Sequence, residues 1–181
     1  MKRVAVFGNA GGGKSTLARE LAQITSLPLH SLDRIKYKPG GGEVPHSEYL
    51  AAHTSLLRTE RWIIDGFGCV ASARERFSAA DTLVYVDLSL FTHYTWVTKR
   101  LIKGLFVTPE GWPEDSPMWS STVAGYRVLP LCHKRLTPRY RQLVAEEASR
   151  KRVHHLKSPG AMKAFLHAVR QEYSGSEQRL T

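Results

Sequence analysis

The chain has 181 residues, 42% hydrophobic and 23% charged, with a formal net charge of +10 at pH 7. That suits one globular α/β domain with its own core and excludes a disordered chain. No apolar stretch approaches the length of a membrane span, and Cys69 and Cys132 fall in no metal-ligand spacing. A cytoplasmic protein with reduced thiols, no membrane partner and no signal or transit peptide is expected. The excess base lies late in the chain, including Arg135, Arg139, Arg150, Lys151 and Arg152; it permits nucleic-acid binding without demanding it, and solvated helix faces account for much of it.

Residues 3–7 read as a first strand, and 14–24 as a helix with Leu17, Leu21 and Ile24 on one face. Between them stands Gly8-Asn9-Ala10-Gly11-Gly12-Gly13-Lys14-Ser15, the pattern G-x-x-x-x-G-K-[ST]. A triphosphate is a cluster of oxyanions. Glycines let backbone N–H groups close around it, and the opening helix adds unpaired amides and the positive end of its dipole. Gly8, Gly11, Gly12, Gly13, Lys14, Ser15 and Thr16 are therefore the expected ATP cradle, with Lys14 reaching the β- and γ-phosphates and the Ser15 hydroxyl on Mg²⁺. A dinucleotide fingerprint counted from Gly8 fails, because Ala10 stands where a second glycine is required.

Pro28-Leu29-His30 reads as a short second strand ending near Asp33, followed by a Gly/Pro-rich loop over 36–46. A helix over 47–58 takes Ser47 as its cap and Tyr49, Leu50, His53, Leu56 and Leu57 as its face. Trp62-Ile63-Ile64 is a strand running into Asp65-Gly66, and Thr82–Val86 another, ending at Asp87. A helix near 91–102 precedes a long irregular loop over 103–121, and further helices are expected over 135–149 and from Pro159 to about Arg170. Residues 152–156 form the last strand, in which His154 and His155 point to opposite faces, and the tail from Ser174 to Thr181 frays. Five strands alternating with helices predict a parallel sheet covered on both faces, with ligands beyond the strands' carboxyl ends. Four of those five ends carry candidate chemistry, namely the glycine loop, Asp33, Asp65-Gly66 and Asp87; the fifth runs into Lys157-Ser158.

These stretches, with Tyr37-Lys38-Pro39-Gly40, Ala80-Asp81-Thr82 and Val153–Ser158, make the chain resemble adenylate kinase-like P-loop kinases over about residues 1–170. More closely, it resembles bacterial DNA topology modulation, or adenylate kinase-related, proteins. The resemblance implies a P-loop NTPase fold, a three-layer α/β/α sandwich with strand order 2-3-1-4-5. It implies one domain over 1–173 with a lid at about 100–140 and a frayed tail over 174–181. It places Asp65 beside the loop as a Mg²⁺ carboxylate, Asp33 on the acceptor side as a catalytic group, and Arg100, thirteen residues past Asp87, as a catalytic lid arginine. Departures also show. Gly68 and Cys69 stand where Pro and the acceptor-gripping Arg would be, leaving Arg74 or Arg76 to substitute; Trp96 replaces a second lid arginine, for which Arg135 and Arg139 are the alternatives. Helix caps are the competing roles for Asp33 and Asp65, and Asp87 reads as mainly structural. The expected activity is a monomeric kinase transferring the γ-phosphoryl of Mg·ATP to a nucleotide or small-molecule acceptor. The alternative is an ATP-binding regulator affecting DNA topology.

Overall fold

The structure is a computed structural model that describes residues 1–38, 42–104 and 118–177. Five parallel strands form the sheet: β1 (Arg3–Gly8), β2 (Leu29–Ser31), β3 (Trp62–Asp65), β4 (Thr82–Val86) and β5 (Arg152–Leu156), in the order β2-β3-β1-β4-β5. Both faces are apolar, so each central strand reads as a continuous hydrophobic run whose alternate residues enter different cores. Val4, Val6, Ile63, Val84 and Val86 pack under α1 (Lys14–Thr25) and α7 (Pro159–Glu177), through Leu17, Leu21, Phe165 and Val169. Ala5, Phe7, Ile64, Leu83 and Tyr85 pack under α3 (His46–Leu57), α4 (Val70–Ala79) and α6 (Met118–Glu147), through Tyr49, Phe77, Tyr140 and Val144. The expected three-layer architecture and strand order are both present.

Register brings the chemistry together. Val6 pairs with Asp65 and Gly8 with Val86, so β1 delivers its glycine loop between the ends of β3 and β4.

Several boundaries differ from the sequence reading. Asp33 does not end a strand; it lies in the first turn of a five-residue helix, α2 (Leu32–Lys36), and is exposed. Ser47 is inside α3, whose cap position is Pro45. The segment after Asp65, given no helix above, forms α4. Residues 118–121 are helical rather than irregular, because α6 begins at Met118 and runs through Pro130 and Pro138. Those prolines remove the N–H partners of the Tyr126 and Lys134 carbonyls. Residues 174–177, expected to fray, continue α7. The rest of the expected loop, including Trp112, lies outside the described residues.

Candidate functional site

The glycine loop takes its shape from backbone conformations that side chains disfavour. Gly8, Gly11 and Gly13 have φ of 144°, 69° and 71°. Close approach adds a second reason: a Cβ on Gly8 would lie 2.2 Å from the Val86 carbonyl oxygen. The next three glycines lie under α5 (Leu90–Gly104). Cβ atoms on Gly11, Gly12 and Gly13 would meet Val97 at 2.4 Å, His93 at 3.0 Å and Trp96 at 2.4 Å. Glycine is thus required here both to bend the loop and to let α5 dock on it. The sequence reading missed that docking row; its i, i+3, i+4 spacing was the available signal.

Helix α1 opens at Gly13 with no side-chain cap, so its first-turn amides are left to whatever the loop surrounds. Lys14 Nζ donates to the Asn9 carbonyl oxygen at 2.7 Å, folding back across the loop. Asn9 is itself buried, and its Nδ2 donates to Thr137 Oγ1 on α6 at 2.7 Å. Ser15 and Thr16 are exposed at the helix start.

Asp65 ends β3 beside this loop, 4% exposed. Burial pushes its carboxyl above the ordinary range, against the pull of Lys14 and a hydrogen bond with Ser15. Its Oδ1 is buried without a protein hydrogen-bond partner. A buried carboxylate oxygen left short beside a lysine, a serine hydroxyl and open helix amides suits a divalent cation, so these residues fit Mg²⁺.

On α2, Asp33 is close enough to raise the Asp65 carboxyl electrostatically. The turn after Asp65 is tight: Gly66 and Gly68 have φ of 117° and 70°, and a Cβ on Gly68 would lie 1.9 Å from the Tyr49 hydroxyl. Cys69 caps α4 through a reciprocal box with Ser72, whose hydroxyl also meets that of Tyr49 at 2.8 Å. Arg74 is exposed, whereas Arg76 is fully buried and donates from Nη2 to the carbonyls of Gly66 (2.9 Å) and Phe67 (3.3 Å).

Across β1, Asp87 receives Arg141 Nε at 2.8 Å and Nη2 at 3.2 Å, and its Oδ2 meets His155 Nε2 at 2.7 Å. Those partners hold its carboxyl below the usual value despite burial. His154 packs instead on Phe165 of α7, ring centroids 4.6 Å apart, so the two histidines do face opposite ways. Arg135 and Arg139 are exposed on α6. Arg100 lies on α5, and its side chain is outside the described residues, as is that of Trp119 on α6.

No family model matches the chain, and no curated protein matches it. Solved structures do. Shikimate kinase from Acinetobacter baumannii in complex with shikimate is 17% identical with a TM-score of 0.60, over 97% of this chain and 94% of that one. Shikimate kinase from Bacteroides thetaiotaomicron is 15% identical with a TM-score of 0.49, over 94% and 96%. A sugar kinase from Janibacter sp. HTCC2649 is 15% identical with a TM-score of 0.41, over 74% and 97%. The first likeness shows the fold: a five-stranded parallel sheet of the shikimate kinase-like P-loop type.

Proposed function

We propose that the chain is a P-loop phosphotransferase that moves the γ-phosphoryl group of Mg·ATP to a small hydroxyl- or phosphate-bearing acceptor. One observation carries this reading: the orphaned Oδ1 of Asp65 beside Lys14 and Ser15, on the strand paired with the glycine loop. The loop amides and Lys14 hold the polyphosphate. Ser15 and Asp65 would hold Mg²⁺, whose charge would offset that of the phosphates. Asp33 faces the acceptor and orients its hydroxyl, and Arg100 closes from the lid. Kinship with the adenylate kinase-related, topology modulation proteins belongs to this reading.

The test is coupled ADP release with Mg·ATP across nucleoside monophosphates, small alcohols, sugars and shikimate. Acceptor-stimulated release is expected; tight ATP binding with no turnover on any acceptor counts against catalysis. Release unaffected by every acceptor marks a plain NTPase.

A second reading, an ATP-binding regulator that touches DNA, is favoured by one feature. A cavity of about 680 Å³ lies where the strands begin, opposite the glycine loop, lined by Lys2, Asp81, Arg150, Lys151 and Arg152 among others. DNA retention with a steep salt slope that ATP leaves untouched supports it. Retention abolished by ATP assigns the basic groups to polyphosphate instead.

A further inference from the structure

Arg76 is among the largest side chains with no exposure at all. It projects from α4 into the core under α3 and α6. There its guanidinium carbon lies 5.2 Å from the Phe77 ring centroid, and Tyr49, Tyr140 and His53 are electrostatic neighbours. Only Nη2 finds acceptors, the Gly66 and Phe67 carbonyls; Nε and Nη1 are buried without partners. Burial lowers its pKa to about 10, which still leaves it a cation at neutral pH. His53 cannot share the charge: burial and Arg76 itself lower its pKa to about 4.

A buried guanidinium with two unmet donors is expensive, typically several kcal/mol before compensation. Packing alone would be served better by methionine. What distinguishes this position is its neighbour. Arg76 clasps the two residues that follow Asp65, and Asp65 is the carboxylate with which its charge interacts. The clasped turn also needs bracing, since Gly66 and Gly68 both sit at positive φ. Asp65 is thus fixed on one side by β-pairing to Val6 and on the other by a turn tied to Arg76.

We propose that Arg76 is the positioning residue of the Mg²⁺ site: by clasping the Gly66 and Phe67 carbonyls it pins the turn after Asp65 and so fixes where that carboxylate points. This rests on the phosphotransferase reading of Asp65. Arg76 acts through Asp65 and touches neither nucleotide nor acceptor. It therefore does not replace the acceptor-gripping arginine missing at Cys69.

The test uses Arg76→Met and Arg76→Lys in the full chain, read by ADP-induced thermal shift with EDTA and over a Mg²⁺ titration. In EDTA all three proteins should bind ADP equally. The Mg²⁺ needed for half the full shift should rise about tenfold or more in Arg76→Met, the usual cost of losing a metal ligand's outer partner. Arg76→Lys should stay within about threefold, since its ammonium can still donate to the same carbonyls. A wild-type Mg²⁺ requirement in Arg76→Met, or Arg76→Lys as impaired as Met, overturns the proposal. A second measurement is the melting cycle of Asp65→Asn, Arg76→Met and the double variant. The double should melt at least about 3 °C above the additive expectation, because both single variants release the same turn; additive shifts overturn the proposal. Should Arg76→Met not fold, Arg76→Gln takes its place in both experiments. A wild type showing no Mg²⁺-dependent shift defeats the phosphotransferase reading, while the cycle still decides whether the two residues are coupled.

Discussion

Asp65 and Asp87 occupy matching places on either side of β1. Asp65 is the last residue of β3 and Asp87 comes just after β4, and both are nearly buried, at 4% and 6% exposure. Their surroundings differ. Asp87 is complete: Arg141 and His155 meet its oxygens, and its pKa is pulled down. Asp65 is incomplete: one oxygen has no protein partner, and burial pushes its pKa up. A carboxylate whose hydrogen bonds are all met inside the fold is a tie between elements, here β4, β5 and α6. One left short carries a desolvation cost that its neighbours offset only in part.

The largest effect that would break this contrast is catalytic. Asp65→Asn should lower Mg·ATP-dependent ADP release about 100-fold or more, while Asp87→Asn should change it less than about threefold, both read in the coupled assay. Equal losses would erase the distinction. Next, Lys14→Ala should weaken ATP binding about tenfold or more by equilibrium dialysis, since it removes a charge-assisted contact beside Asp65. Asp87→Asn should instead cost stability, about 2 kcal/mol, seen as a melting temperature lower by about 4–8 °C. Acid sharpens the same point. Because Asp87 is held below its ordinary value, its contribution is whole above about pH 4 and drains as pH falls through the lowered value. The Asp87→Asn melting curve against pH should therefore be shallower than wild type below that point. The smallest effect is Thr137→Val, which strands the buried Asn9 amide and should cost about 1 kcal/mol, or about 2–4 °C.

Much of the sheet and the glycine loop is legible from residues alone. The central strands announce themselves because both faces are buried, and the loop because its chemistry fixes residue types at fixed offsets. Elsewhere the signals are faint for physical reasons. Helix α2 has five residues, too few for a periodic pattern, so Asp33 reads as a strand end. Helix α4 is preceded by two glycines and capped by Cys69, a residue type outside the usual capping set. The first half of α6 is hidden by Pro130, which argues locally against a helix that packing sustains. Arg76 is obscured by expectation, since arginine is rarely buried. Its place between Ala73 and Phe77, both buried on the inner face of α4, was the available clue. The Asp87–Arg141 tie joins residues 54 positions apart, and no local pattern reports such a pair.

The row of bare α-carbons at Gly11, Gly12 and Gly13 works as a keyway cut to receive Val97, His93 and Trp96. Neither part can be exchanged alone. A loop grafted in from another protein with alanine at the first or third position would jam against this helix, and a helix from elsewhere would leave the groove empty. Anyone building chimeras from this chain should move residues 8–15 and 90–97 together, as one transplantable piece.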